Sequence, residues 1–138
     1  MVIKDKNNIK YFDNINRCNS FFLTKIKESR SSLCLTITES STYNKVYTKG
    51  KSEFEIFFYR YIGFNILDES LVLPEDEYEI FYGNHFLIYQ KSHYLDYISK
   101  STFASDEHPG PFTHFGINCL NHIVHIVSTE IPEIKKIS

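Results

Sequence analysis

The chain has 138 residues and a mass of 16.3 kDa, which fits a single domain over residues 1–138. Its apolar share of 42% is too high for a disordered protein, and its net charge of −2 argues against a strongly basic nucleic-acid binder. Since the sequence has no long apolar run and no secretory signal pattern at its first residues, we expect a cytoplasmic protein that binds no membrane.

The first predicted element is a helix over residues 13–30, with Asp13 as its N-cap. Behind that cap, apolar residues recur at helical spacing: Ile15, Cys18, Phe22 and Ile26. Residues 33–38 then alternate and are rich in strand formers, which predicts a strand with three inward side chains, Leu33, Leu35 and Ile37.

A turn is predicted at residues 49–51, and a strand follows at residues 53–61. Both faces of this strand carry aromatic residues, so we expect it to be central in its sheet. Gly63 is expected to end the strand, and residues 64–67 are predicted to form a short edge strand.

Residues 79–82 and 86–89 predict a hairpin with a Gly83-Asn84 connection. Ser92 can cap a second helix over residues 93–101. The apolar side of this helix is expected to consist of Tyr94, Leu95 and Ile98.

Residues 104–111 contain two prolines and a glycine, which favours a loop. Two last strands are predicted at residues 112–118 and 122–128, and Pro132 is expected to end the packed chain. The elements together predict an α+β fold, an antiparallel sheet of about six strands with two helices packed on it.

The charge is distributed unevenly along the chain. Residues 1–51 hold ten basic and four acidic side chains, whereas residues 52–138 hold five basic and thirteen acidic ones. The densest acidic stretch consists of Asp68, Glu69, Glu75, Asp76, Glu77 and Glu79. This stretch is typical of a solvated loop, or of a surface that attracts a basic partner.

Cysteines and histidines leave several interpretations open. The three cysteines form no CxxC pair, which favours reduced, buried thiols over a metal clip or disulfides. On the predicted strand, His122 and His125 would lie on opposite faces and would not form a metal pair. His85 or His93 could work with His114 in acid–base catalysis, or all the histidines could be structural. We expect no metal and no cofactor.

Two segments resemble a known family. Residues 62–70, IGFNILDES, resemble a "VGF-x-(V/I)-LDE" segment. Residues 114–134, HFGINCLNHIVHIVSTEIPEI, resemble a closing hairpin with the pattern "V-(L/I)-S-x-x-x-P-x-I". Both are similar to segments of bacterial immunity proteins that accompany polymorphic toxins, including those of contact-dependent growth inhibition systems. The similarity covers 30 of the 138 residues, 9 + 21.

The resemblance implies a non-catalytic cytoplasmic α+β protein that binds and neutralises the C-terminal domain of a cognate toxin, often a nuclease with a basic surface. We expect a monomer or weak dimer that binds no nucleic acid itself. The predicted toxin-binding residues are the acidic stretch with two aromatic anchors: Asp68, Glu69, Glu75, Asp76, Glu77, Tyr78, Glu79 and Tyr82. The alternative function is a small histidine-dependent nuclease or hydrolase.

Overall fold

The computed structural model describes residues 7–40, 52–73 and 76–138. Within these ranges the helices and strands, in chain order, are α1 (Phe12–Arg17), β1 (Phe21–Ser29), β2 (Ser32–Glu39), β3 (Glu53–Phe58), β4 (Tyr61–Asp68), β5 (Ile80–Gly83), β6 (Phe86–Lys91), α2 (His93–Ser101), β7 (Thr113–Asn118), β8 (His122–Ser128) and β9 (Glu133–Lys136).

All the strand pairs are antiparallel, and the strands form two sheets. The four-stranded sheet has the order β1-β2-β3-β9, and the five-stranded sheet has the order β4-β8-β7-β6-β5. The expected α+β class is confirmed. The strands are divided between two sheets, whereas the sequence predicted about six strands in one.

The main core lies between the two sheets. The four-stranded sheet contributes alternate residues of β2 and β3, and the predicted inward set of Leu33, Leu35 and Ile37 is confirmed at 1%, 0% and 0% exposure. The five-stranded sheet contributes its inner face, where Phe115 lies with its ring centroid 5.5 Å from that of Phe58. This burial of large apolar side chains is the main stabilising term of the fold.

The helix predicted over residues 13–30 is wrong. Only Phe12–Arg17 is helical, and Phe21–Ser29 forms β1, an edge strand paired with β2. A two-residue turn joins β1 to β2, and its residues Arg30 and Ser31 have φ values of 51° and 64°. This geometry is usual for Asn or Gly, so Arg30 and Ser31 do not indicate a hairpin turn. Asp13 lies in the first turn of α1 and does not cap it; the N-cap is Tyr11.

The expectation that the packed chain ends at Pro132 is also wrong. Residues Glu133–Lys136 form β9, which pairs with β3 and places Ile134 opposite Ile56. Ile134 is the only buried residue of this four-residue strand, so no alternation pattern marks it. The expectation that the preceding strand, β3, is central is confirmed, because β3 lies between β2 and β9. That strand is shorter than predicted, since it ends at Phe58.

The sequence predicted that Gly63 ends a strand. In the structure Gly63 instead lies inside β4. A Cβ atom at this position would lie 2.8 Å from Ile98 Cδ1, so the glycine makes room for α2. The strand predicted at residues 64–67 is confirmed as an edge strand, though it begins earlier, at Tyr61. The turn predicted at residues 49–51 lies outside the described residues.

The predictions for the remaining elements are confirmed. The predicted β5–β6 hairpin is present, but Gly83, at φ 115°, is the last residue of β5, and Asn84 and His85 make the connection to β6. Ser92 caps α2, since its Oγ accepts a hydrogen bond of 3.0 Å from the Leu95 N–H. Residues 104–111 form a loop, and β7 and β8 are the last two strands of the five-stranded sheet.

The connection from β4 to β5 determines where the acidic stretch lies. These two strands form opposite edges of the five-stranded sheet, about 19 Å apart at about 4.8 Å for each strand spacing. Residues 69–79 must therefore cross the width of the sheet. We call the described parts of this connection, residues 69–73 and 76–79, the strap.

Candidate functional site: an acidic strap over a histidine-bearing sheet face

The outer face of the five-stranded sheet, opposite the main core, carries aromatic and polar side chains. Cross-strand pairing aligns Tyr89 of β6 with His114 of β7, and Gly116 of β7 with His125 of β8. The rings of Tyr89 and His114 stack at 3.9 Å between centroids and 7° between planes. A Cβ atom on Gly116 would lie 2.9 Å from Tyr89 Cε1, so only glycine leaves room for this stack.

A chain of hydrogen bonds connects α2 to this face. Ser92 Oγ lies 2.7 Å from His114 Nδ1, and His114 Nε2 lies 2.8 Å from His125 Nδ1. Ser92 and His114 are fully buried. Desolvation lowers the pKa of His114 to about 2, helped by His125, and lowers the pKa of His125 to about 4. Both imidazoles are therefore neutral near pH 7.

The C-terminal end of the strap is attached to the start of α2. Asp76 Oδ2 lies 2.9 Å from His93 Nε2, and the Tyr78 ring stacks on the His93 ring at 4.6 Å. The Glu79 carboxylate accepts a hydrogen bond of 3.1 Å from the His93 N–H, and the Tyr78 hydroxyl donates to Asp96. The hydrogen bond between the His93 and Asp76 side chains raises the pKa of His93 and lowers the pKa of Asp76.

The N-terminal end of the strap begins with a turn of 3-10 helix, Glu69–Leu71. The Asp68 carboxylate caps this turn, accepting hydrogen bonds from Ser70 N at 3.0 Å and Ser70 Oγ at 2.8 Å. These bonds lower the pKa of Asp68. The Glu69 N–H donates to the Asn121 carbonyl in the β7–β8 turn, so this end is fixed at the edge of the sheet.

The strap and the outer face together enclose a cleft of about 920 Å³. Its walls include apolar strap residues (Leu71, Val72 and Leu73), four carboxylates (Asp68, Glu69, Asp76 and Glu79) and three histidines (His85, His93 and His125). No lysine or arginine occurs among the described lining residues. The cleft therefore combines apolar walls, acidic groups and imidazole, and has a volume typical of ligand sites.

The predicted toxin-binding residues are only partly brought together. Four of the carboxylates line the cleft, Glu77 is exposed beside it, and Glu75 lies outside the described residues. Tyr78 is half-buried and contacts His93 and Asp96, so it fixes the strap. Tyr82 is on β5, where its ring stacks on Phe12 at 5.9 Å. The two expected anchors thus serve the packing of this protein.

The predicted catalytic pairing is not formed by hydrogen bonds. His114 bonds to Ser92 and His125, whereas His93 bonds to Asp76 and His85 Nε2 lies 2.9 Å from the Cys18 carbonyl oxygen. His85 and His93 line the cleft, but His114 lies behind His125. The sequence did not indicate the pair that forms, His114 with His125, because it depends on the register of β7 against β8.

The structure also shows where the two histidines of the metal hypothesis and the three cysteines lie. His122 and His125 lie three apart on β8 and therefore on opposite faces, as the sequence predicted. Among the described residues, no group of three or more His, Cys, Asp or Glu side chains is arranged to hold a metal ion. Cys119 is buried with its pKa raised by desolvation to about 12, while Cys18 and Cys34 are half-buried; all three are free thiols.

Comparison of the chain with protein-family models, with curated proteins and with solved structures finds no match. In the part of the chain that the structure describes, no helix has the length and apolar character needed to cross a membrane.

Proposed function

We propose that the protein is an immunity protein that binds and neutralises the C-terminal domain of a cognate toxin in the cytoplasm. The observation that carries the proposal is the concentration of exposed apolar side chains at the strap. Leu67 at the end of β4 and Leu71 and Leu73 of the strap are exposed large hydrophobic residues, and all three line the cleft. Leu71 and Leu73 are 80% and 84% exposed. A cluster of this kind favours a protein interface.

The charges around this cluster favour a basic partner. The carboxylates of Asp68, Glu69 and Glu77 lie along the same stretch as the exposed leucines, and all three residues are exposed. Apolar residues inside a charged rim match the usual composition of an interface, with the rim steering association. A nuclease toxin that binds phosphate groups has a basic surface that suits this arrangement.

The alternative, a small histidine-dependent nuclease or hydrolase, has less support. His114, which that hypothesis required, is fully buried and neutral, with a pKa of about 2. A general acid needs a pKa near the working pH and contact with the substrate. The alternative predicts cleavage of RNA or DNA by the purified protein, and its loss in His93→Ala.

The test of the proposal is rescue in bacteria. The candidate toxin is the C-terminal domain encoded by the gene immediately upstream, and co-expression with the wild-type protein is expected to restore growth and to give a complex on gel filtration. Leu71→Ser/Leu73→Ser and Glu69→Lys/Glu77→Lys are both expected to weaken binding, the second mainly through a slower association rate and a weaker salt dependence.

Matched controls are available after the C-terminal end of α2, whereas the strap contacts the start of this helix. Phe103→Ser changes a fully exposed aromatic residue, and Asp106→Lys/Glu107→Lys reverses two exposed acidic residues in the loop at residues 104–111. Both are expected to bind like wild type. Absence of rescue together with absence of a complex would refute the proposed function. Normal binding by both strap variants would show that the partner binds elsewhere.

A further inference from the structure

We propose that the cleft under the strap receives one lysine or arginine residue of the partner, with its cationic group among the strap carboxylates and its backbone carbonyl on the Nε2–H of His125. This inference rests on the proposed function and adds the chemistry that the site recognises. It depends on three features of the cleft: a hydrogen-bond donor of defined direction, four carboxylates with no lysine or arginine among the described lining residues, and apolar walls.

The hydrogen-bond chain from α2 determines the protonated nitrogen of His114. Ser92 Oγ already accepts from the Leu95 N–H, and its other hydrogen-bond contact is with His114 Nδ1. If Nδ1 carried the proton, the buried Ser92 hydroxyl hydrogen would have no acceptor, which is costly. The Ser92 hydroxyl therefore donates to Nδ1. Neutral His114 then carries its proton on Nε2.

The same reasoning fixes His125. The Nε2–H of His114 donates to Nδ1 of His125 across 2.8 Å. Neutral His125 must therefore carry its own proton on Nε2, the nitrogen not engaged by His114. His125 lines the cleft, and no hydrogen-bond partner of its Nε2 is found in the described chain. His125 thus offers the cleft a neutral donor whose direction is held by two buried residues, Ser92 and His114.

The charge of the cleft selects against an anionic ligand. Four carboxylates and no lysine or arginine occur among the described lining residues, and Glu69 is exposed. Asp76 is paired with His93, which leaves Glu69 as the carboxylate most available to a ligand. A ligand that accepts a hydrogen bond from His125 and is attracted by these carboxylates must contain both a neutral acceptor and a cationic group. The backbone carbonyl and side chain of a basic residue supply both.

The walls suit the stem of such a residue. Leu67 and Ile123 line the cleft from the sheet, and Leu71 and Leu73 line it from the strap. Lysine and arginine side chains bury their methylene groups against apolar surface and keep the charged end at polar groups. The volume of about 920 Å³ is large enough for a basic residue with its neighbouring peptide groups.

The first experiment measures the tautomers directly. Long-range ¹H–¹⁵N correlation spectra of the ¹⁵N-labelled protein at pH 7 distinguish Nδ1–H from Nε2–H imidazoles. Both His114 and His125 are expected to be Nε2–H tautomers. Observation of an Nδ1–H tautomer for His125 would overturn the proposal, because the cleft would then present an acceptor.

The second experiment uses N-acetyl-arginine-N-methylamide as the probe. Titration is expected to shift the amide resonances of the strap and of β8 near His125, and N-acetyl-glutamine-N-methylamide, which lacks the cation, is expected to shift them less. Glu69→Gln is expected to weaken arginine binding about two- to fivefold. Glu107→Gln, an exposed change outside the cleft, is the control and should bind the probe like wild type.

Failure of this inference can be told from failure of the proposed function. If the capped arginine causes no cleft shifts while the toxin domain still binds at the strap, the cleft proposal is wrong and the function survives. If capped arginine binds in the cleft but no toxin domain forms a complex, the function is wrong and the ligand chemistry of the cleft survives. Equal affinities in Glu69→Gln and Glu107→Gln would contradict the role of the strap carboxylates.

Discussion

Both faces of the five-stranded sheet are buried, but different interactions stabilise them. The inner face packs apolar residues such as Phe86 and Phe115 against the other sheet. The outer face holds Tyr89, His114 and His125 in specific hydrogen-bonded and stacked positions. Apolar burial is nearly independent of direction, whereas each buried polar group needs a particular partner. The outer face is therefore the part of the sheet where exact residue identity decides structure.

Removing a large side chain from the inner face is expected to have the largest effect. Phe115 is fully buried and contacts rings from both sheets, so Phe115→Ala is expected to lower the free energy of unfolding by about 3–5 kcal/mol. Urea denaturation measures the change. Tyr97→Ala, at an α2 position with 60% exposure, is the control and should have little effect. A loss below 1 kcal/mol for Phe115→Ala would contradict the packing described for the core.

We expect acid to destabilise the protein through the two buried histidines on the outer face of the five-stranded sheet. Burial lowers the pKa of His114 to about 2 and of His125 to about 4, while unfolded histidine titrates near 6.5. Below pH 6.5 the unfolded chain therefore binds protons that the native protein does not. Stability is lost as the pH falls from 6.5 towards 4, at up to about 1.4 kcal/mol per pH unit for each histidine.

Comparison with His114→Phe isolates this contribution from that of the carboxylates. Urea unfolding at several pH values between 4 and 8 is expected to give a shallower loss of stability below pH 6 for His114→Phe than for wild type. Above pH 7 the two slopes should coincide, because both histidines are then neutral in native and unfolded states. Parallel curves down to pH 4 would show that the native His114 accepts a proton as easily as the unfolded one.

At pH 7.5 the same variant tests the need for partners on the outer face. His114→Phe keeps a ring to stack on Tyr89 but leaves the hydroxyl hydrogen of Ser92 and His125 Nδ1 without their partner. The expected cost is about 1–3 kcal/mol of unfolding free energy. His108→Phe, in an exposed loop, is the control. A more stable His114→Phe protein would mean that this face tolerates apolar packing like the inner one.

The attachment of the strap to α2 should have the smallest effect on global stability, because its groups are exposed. His93→Ala is expected to leave the urea midpoint unchanged while it speeds amide hydrogen exchange at residues 76–79, with His108→Ala as the control. Because the hydrogen bond to Asp76 raises the pKa of His93, the stabilisation from this charged contact is fully present below about pH 6.5, the ordinary histidine value, and is lost as the pH rises through the raised pKa. Unchanged exchange in His93→Ala would show that this contact does not hold the strap.

The sequence predicted those elements whose signals are local. The alternation of Leu33, Leu35 and Ile37, the Gly83-Asn84 pair and the Ser92 cap each act within a few residues of the element they specify. The prediction of a helix over residues 13–30 was wrong because residues 21–29 form β1, an edge strand. The side chains of β1 show little alternation of buried and exposed positions, so its sequence pattern does not differ clearly from that of a helix. β9 was missed because it is short and depends on pairing with β3.

The candidate site was predicted less completely, for a related reason. The acidic stretch was visible in the sequence, but its position over a cleft follows from β4 and β5 being opposite edges of one sheet. The Ser92–His114–His125 chain depends on the register of β7 with β8 and on the docking of α2. A single sequence contains no direct signal for such register, so the sequence indicates only the spacing of His125 from His122.

The pairing of β9 with β3 has a consequence for how the protein is made. β9 comes last in the chain order, and Ile137 and Ser138 also donate backbone hydrogen bonds to the Glu53 carbonyl. During translation, the hydrogen-bonding groups along one side of β3 therefore stay open until residues 133–138 have left the ribosome. A strand edge left open in this way can pair with other chains. The nascent chain thus depends on residues 133–138 to protect this edge of β3 against aggregation.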